Sequence, residues 1–298
     1  QDLIGTFGSK KVEVNAARVV VREFETNKSI KGNDVKLTLD IELQKFVYNL
    51  LPKNGATATV VDLRSGEILA MVSTPAFDSN IFSNSVMDRD TWNRIVQHKS
   101  HPFTNRSIAQ LYPPGSVWKI VVALALLEQG ISPAEIVRCN GRYQLGNRIC
   151  RCWKKPGHGD VDLNLAIMQS CNIYFYEMAL RIGISAIHRV AAELGFGNVV
   201  GLDIPGELMG LNPDRDWKNK NYNVDWVRGD TVNSAIGQGF TMVTPIQLLM
   251  MLSRVATGKK ISPKILAKNV VADQNETISI NPDHLNLVRQ GLSNVFNH

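Results

Sequence analysis

Between Ser116 and Gln129 the chain reads SVWKIVVALALLEQ, an almost unbroken apolar run that stops at Gly130. Such a run predicts a helix buried on all sides, with the glycine as its end signal. Elsewhere the apolar positions are periodic. Residues 12 to 24 are rich in valine and partly alternate, which predicts one or two strands, and the polar stretch 25 to 34 predicts a loop. In LTLDIELQKFVYNLL, residues 37 to 51, Ile41, Phe46, Val47 and Leu50 share one face, so a helix is expected to start near Asp40 as N-cap. Residues 56 to 75, ATATVVDLRSGEILAMVSTP, hold two short apolar runs joined by Arg-Ser-Gly, the pattern of a hairpin. Further helices are expected over 161 to 182, 185 to 194 and 244 to 257, between glycine- and proline-rich loops. The order predicts an α+β fold in which a helical region packs on an antiparallel sheet seeded by residues 56 to 75. Residues 1 to 34 are expected to be a linker or the remnant of an N-terminal pedestal module, and 35 to 298 the main domain.

With 298 residues and 44% hydrophobic content, the chain can bury a real core and is not a disordered tail. Its net charge of +6 is spread over short clusters such as Lys10-Lys11, Lys154-Lys155 and Lys259-Lys260. There is no basic arm and no basic stripe with interleaved aromatics, so nucleic acid is not expected as a partner. An anionic membrane surface or polymer suits such a balance, as does a merely solvated face. No stretch reaches the roughly 18 uncharged apolar residues of a membrane span, and the first residues lack the three-part pattern of a signal peptide. Since the chain starts without Met, in a strand-like run, a targeting or anchoring segment is expected to lie outside it.

The apolar run carries two polar groups suited to chemistry. A serine hydroxyl is a poor nucleophile until a base takes its proton, and a lysine serves as that base only when burial or nearby cations keep it neutral. Ser116 and Lys119, three apart, share a helix face. Pro113, Pro114 and Gly115 fix the preceding loop, and a serine in the first turn has a free backbone N–H to offer a developing oxyanion. A Ser-x-x-Lys pair arises about once by chance in a chain of this size, and a capping serine with a snorkelling lysine is the plain alternative. Lys119 sits inside VWKIVVALALL, where it has few ways to reach water, and a buried lysine needs a reason.

All four cysteines, Cys139, Cys150, Cys152 and Cys171, fall in one window with His158. Thiolates and imidazole are the usual zinc ligands. The spacing is looser than Cys-x-x-Cys, so disulfides and plain buried thiols remain as alternatives. Trp217 and Trp226 read as packing residues, and His101 and His188 carry no assigned role.

The stretches YPPGSVWK and SCN, the latter Ser170 to Asn172, resemble the first and second active-site motifs of the penicillin-binding transpeptidases. VEVNAARVV, LTLDIELQ, ILAMVSTPAFD, TNRSIAQLYPPGS, WKKPGHG and GDTVNSAIGQGFTMVTPIQL resemble, in the same order, the rod-shape, elongation-specific class B members. A second Ser-x-Asn at Ser279 and Asn281 shows that the motif alone is cheap; the order is what counts.

The resemblance implies a penicillin-binding transpeptidase or serine β-lactamase-like fold and a D,D-transpeptidase activity. Ser116 would attack the penultimate D-Ala carbonyl of a peptidoglycan stem peptide, release D-Ala and pass the acyl group to a neighbouring amine. Lys119 would be the base, Ser170 would relay the proton to the leaving amine, and Asn172 would hold the substrate amide. β-Lactams would acylate Ser116. The implied setting is the periplasmic face of the bacterial inner membrane, beside a rod-type glycosyltransferase and elongation scaffold proteins. Some rod-shape transpeptidases carry a structural zinc held by two aspartates, a histidine and a cysteine. His158 and Cys171 match that pattern, Cys152 falls on the second aspartate and Cys139 near the first, with Cys150 left over.

One departure stands out. The family's third motif, Lys-Ser/Thr-Gly, is absent; TGKK at Thr257 to Lys260 has the reverse order. The resemblance places that motif, the remaining strands and the last helix beyond residue 298, so this polypeptide by itself is expected to acylate poorly. Two alternatives follow: a non-catalytic, zinc-stabilised module of the cell-wall elongation machinery, and a serine β-lactamase or β-lactam sensor.

Overall fold

The structure, a computed structural model, describes residues 3–82, 88–267 and 276–297. It divides into two compact units, Gln1–Thr38 with Leu266–Ala272 and Leu39–Ile265 with Asp273–His298. In the first, β1 (Ser9–Val14) and β2 (Val20–Asn27) form an antiparallel hairpin. The side chain of Asn15 closes its turn by accepting from the N–H groups of Ala17 and Val19. The expected loop from 25 therefore begins three residues late. Glu25, Thr26 and Asn27 are polar but pair with Lys11, Lys10 and Ser9, and backbone pairing is indifferent to that polarity.

The second unit opens with α1 (Ile41–Leu50), whose N-cap Asp40 accepts from the N–H groups of Glu42 and Leu43 as expected. Its expected apolar face is corrected by the structure: Ile41, Phe46 and Leu50 are exposed. A polar residue docks the helix instead. Gln44 donates to the carbonyl of Met71 and accepts from its N–H, both at 2.8 Å.

Met71 belongs to the expected hairpin, β3 (Ala56–Val61) and β4 (Ile68–Thr74), in register from Ala56 opposite Thr74 to Val60 opposite Ala70. Burial alternates along β4, with Ile68, Ala70, Val72 and Thr74 inward, which is the period-two signature of a half-buried strand. Among the described residues this sheet has two strands and is not closed, extended only by a bridge from Glu67 to Lys264.

Next come α2 (Arg89–Val96), capped by Asp88, and a 3-10 turn, Gly115–Trp118, that leads into α3 (Lys119–Glu128). Nine of the ten residues of α3 are buried, so this helix is the centre of the core, as its all-round apolar sequence predicts. Two small antiparallel pairs follow, β5 (Val137–Cys139) with β8 (Gly159–Val161) and β6 (Arg142–Leu145) with β7 (Arg148–Arg151). The remaining helices are α4 (Leu163–Met168), α5 (Asn172–Ile182), α6 (Ile184–Glu193), α7 (Arg215–Tyr222), α8 (Arg228–Ser234), α9 (Pro245–Thr257) and α10 (Pro282–Asn297). α3 packs against α5, α6 and α10, with Trp118, Tyr174, Phe175 and Phe196 filling the space between them. Trp217 and Trp226 pack with Tyr222 and Phe240 in an aromatic cluster.

The helix expected over 161 to 182 is corrected to two helices. Val161 closes β8, and the chain breaks between α4 and α5 at Ser170, whose φ is +51°. The N–H of Ser170 returns to the carbonyl of Ile167 and that of Cys171 to Ala166, a left-handed helix end at a residue other than glycine. Neither glycine nor proline marks this break, and it is the feature that shapes the site.

Candidate active site

Ser116 lies exposed in the 3-10 turn, and Lys119 is the first residue of α3. Lys119 is 4% exposed. Its ammonium donates to three oxygens of the α4–α5 junction: the carbonyl of Ser170 at 2.9 Å, the Ser170 hydroxyl at 2.9 Å and Asn172 Oδ1 at 2.6 Å. All three N–H groups thereby have an acceptor, and none is a carboxylate. Burial lowers the Lys119 pKa to about 8, against a smaller opposing pull from Cys152 and Cys171. The left-handed turn at Ser170 is what allows its carbonyl and hydroxyl to meet the same nitrogen.

The structure thus brings Lys119, Ser170 and Asn172 into one cluster, 51 and 53 residues apart in sequence. Ser116 stands at its edge, and its hydroxyl makes no hydrogen bond with another described residue. The direct Ser116 to Lys119 pairing suggested by the three-residue spacing is absent, because Lys119 reaches across to the α4–α5 junction. A buried amine near neutrality, touching one hydroxyl and beside a second exposed on a rigid turn, can accept and hand on a proton.

Sequence reasoning missed the residue that seats this turn. Gly237 accepts from the N–H of Gly115 at 3.0 Å, and the Tyr112 and Val243 backbones exchange hydrogen bonds beyond it. A Cβ on Gly237 would lie 2.3 Å from the Gly115 carbonyl oxygen and 2.7 Å from Trp118 Cβ, at a φ of +66°. Both the contact and the left-handed backbone require glycine. Gly237→Ala is expected to displace the Ser116 turn, slowing covalent capture of Ser116 by about 100-fold, as a misplacement near 1 Å does in positioned chemistry. Stopped-flow acylation beside a thermal melt checks this; an unchanged rate would contradict the seating role.

Cys139 at the end of β5, Cys152 and His158 in the connection from β7 to β8, and Cys171 as N-cap of α5 converge, their donor atoms all within 4.8 Å of one another. These are the four residues expected as ligands. Cys139 Sγ and Cys152 Sγ each lie 3.5 Å from His158 Nδ1. A tetrahedral zinc with Zn–S about 2.3 Å and Zn–N about 2.05 Å sets S···N at roughly 3.6 Å, which the two S···N distances of the cluster match. The protonation balance also fits. Burial raises the Cys152 thiol pKa, but N–H groups of Lys154, Asn172 and Ile173 outweigh it and the net shift is downward. Burial, then the charges of Lys154 and Lys119, lower that of His158 and favour its neutral, ligating form. Cys171 is pushed up by burial and by the neighbouring thiols, a strain that a cation between the sulfurs relieves. All four cysteines are free, and Cys150 stands outside the cluster on β7.

Residues 56–298 match the family described as the penicillin binding protein transpeptidase domain. The chain is 34% identical over 271 residues to the peptidoglycan D,D-transpeptidase MrdA of Haemophilus influenzae, covering 90% of this chain and 42% of that protein. Among solved structures it is similar to the penicillin-binding protein PBP2 of Helicobacter pylori in complex with MreC. That match has a TM-score of 0.85 and 35% identity over 99% of this chain and 56% of the other. It is also similar to Pseudomonas aeruginosa PBP2 in complex with WCK 5153, with a TM-score of 0.82 and 35% identity over 89% and 62% of the two chains. The chain therefore spans about two-fifths of the length of the curated relative and somewhat over half of the solved chains.

Proposed function

The chain belongs to the penicillin-binding protein transpeptidase family, and from its site we propose that it carries the acylation centre of a peptidoglycan D,D-transpeptidase. The observation that supports this most strongly is Lys119, a buried lysine with a pKa near 8 that joins the Ser-x-x-Lys turn to the Ser-x-Asn junction.

In this reading Ser116 Oγ attacks the carbonyl of the penultimate D-Ala of a stem peptide. Neutral Lys119 takes the hydroxyl proton, and the Ser170 hydroxyl, already bonded to Lys119, passes it to the departing D-Ala amine. The backbone N–H of Ser116, at the start of its turn, faces the developing oxyanion. Asn172 is held by Lys119 through Oδ1, and its Nδ2, which donates one N–H to the Arg151 carbonyl at 3.4 Å, has a second N–H to offer a substrate amide. An incoming amine then takes the acyl group, and the proton returns by the same route. β-Lactams enter as analogues of the scissile amide and stop at the acyl-enzyme.

Cys139, Cys152, His158 and Cys171 would hold a structural zinc behind the second motif. Bound there, its two positive charges would offset most of the charge of the three thiolates and it would fix the position of Cys171, steadying Ser170 and Asn172 on either side. The expected domain boundary near residue 34 is kept as part of this proposal, with the acylation centre wholly in the larger unit.

We place this centre at the periplasmic face of the inner membrane, working with a rod-type glycosyltransferase and an elongation scaffold protein. The similarity to a PBP2 captured with MreC supports the scaffold part. No helix among the described residues is long and apolar enough to cross a membrane.

The full-length protein, given a synthetic pentapeptide ending in D-Ala-D-Ala and an amine acceptor, is expected to release free D-Ala and form the transpeptidation product, and Ser116→Ala to release none. A binding module of the elongation machinery would release none in either form. A β-lactamase would instead turn over penicillin rapidly without product.

A further inference from the structure

A cavity of about 460 Å³ opens beside the second motif, walled by Trp153, Lys154, His158, Met168, Gln169 and Ser170. Its position decides its relevance. One wall is Ser170, whose hydroxyl is bonded to Lys119, so whatever occupies the cavity lies against the acylation centre.

The walls specify the occupant. The side chain of Lys154 is exposed, its ammonium makes no hydrogen bond or ion pair with another described residue, and no carboxylate lines the cavity. Arg151, just before it, and Lys155, just after, likewise have no ion-pair partner among the described residues. The local field is therefore uncompensated and positive. Trp153 is 64% exposed, an unusual position for so large an apolar side chain, yet it is held firmly. Its indole N–H donates to the carbonyl of Gln169 at 3.0 Å, and its ring meets the His158 ring edge-on at 5.3 Å. With the thioether chain of Met168 it offers a fixed apolar wall next to an unpaired cation. A hydrocarbon arm that ends in an anion matches both.

We propose that this cavity is a side-arm subsite of the proposed transpeptidase centre, taking a carboxylate-bearing side chain of the stem peptide, with Lys154 on the carboxylate and Trp153 and Met168 along its methylenes. It rests on the reading that Ser116 is acylated by that peptide, and it adds a specificity determinant to it. Lys154 and Trp153 select the substrate; neither takes part in proton transfer.

The test uses the full-length protein and two synthetic D-Ala-D-lactate depsipeptides, identical except that the side arm ends in a carboxylate in one and a carboxamide in the other. The readout is the ratio of their kcat/KM values. Wild type is expected to favour the carboxylate by about fivefold, the scale of a partly exposed ion pair. Lys154→Gln should bring the ratio to about one, and Lys154→Glu should invert it. Trp153→Ala should raise KM for both substrates and leave the ratio unchanged, since it covers the arm they share. Both lysine variants replace an exposed side chain, and their melting temperatures and zinc content verify the fold.

A ratio near one in wild type, or a carboxylate preference that survives in Lys154→Gln, overturns the subsite. Penicillin separates this failure from that of the underlying reading. Wild type that forms a penicillin adduct but shows no preference loses the subsite alone, whereas wild type that forms no adduct loses both.

Discussion

Replacing Lys119 by arginine is expected to slow penicillin acylation of Ser116 by about 10² to 10⁴-fold, the range that one positioned base supplies. Arginine keeps a cation with several N–H donors beside Ser170 and Asn172, so a lysine that merely tied the α4–α5 junction to α3 would be replaced with partial success. Arginine cannot become neutral in a protein, so a lysine that accepts a proton is not replaced at all. Lys119→Met separates the terms further: it preserves volume, removes both charge and base, and should be equally slow.

The pH dependence follows from the same group. Burial lowers Lys119 to about 8, and the neutral, proton-accepting form prevails above that value. The acylation rate should therefore rise with pH, about tenfold per unit below 8, and level off above it. The variants should show no such rise. Stopped-flow acylation from pH 6 to 10 measures both; a flat wild-type profile, or an arginine variant within tenfold of wild type, would remove Lys119 from its role as base.

Cys171→Ser is expected to lose zinc, and much of the acylation rate with it. The substitution is chosen because Cys171 is the N-cap of α5, and serine is a better cap than cysteine. Any harm therefore comes from the missing thiolate rather than from the helix start. Wild type should contain about one zinc per chain by elemental analysis, and the variant less than about a tenth of that, since losing a ligand outright weakens metal by more than the roughly 10- to 100-fold that an outer-shell partner costs. Binding at about 1,000 times Kd contributes roughly 4 kcal/mol, or about 10 °C in melting temperature for a domain of this size. Chelator should lower the wild-type melting point by that amount and leave the variant unmoved. Metal-free wild type of unchanged stability would reduce the cluster to buried thiols.

The sequence was most informative where a local pattern and the folded contact coincide. The all-apolar run made α3 legible, and its one lysine stood out as anomalous within it. Asp40 announced a helix start through cap chemistry that needs no tertiary partner. The β3–β4 hairpin was legible in two short apolar runs joined by Arg-Ser-Gly. Residue type and crowding gathered the four cysteines with His158, and the resemblance singled out Cys139, Cys152, His158 and Cys171 among them, the group that the fold brings together.

What stayed hidden depends on contacts between distant segments. The apolar pattern of 161 to 182 continues across Ser170 without a breaker, and only the pull of Lys119 and of the thiol cluster explains a left-handed residue there. The apolar residues of α1 show a helical face that the described chain leaves exposed, while Gln44 does the docking. Gly237 looks like any loop glycine until the Ser116 turn is laid against it. Trp153 and Lys154 carry no periodic signal at all.

The central claim is that Ser116 is the acylated residue, and intact mass after incubation with benzylpenicillin tests it most directly. The account predicts that the full-length protein gains one penicilloyl group, stable over minutes and located by peptide mapping on the segment containing Ser116, and that Ser116→Ala gains none. An adduct that persists in Ser116→Ala, or a wild-type protein that stays unmodified at saturating penicillin, would contradict it.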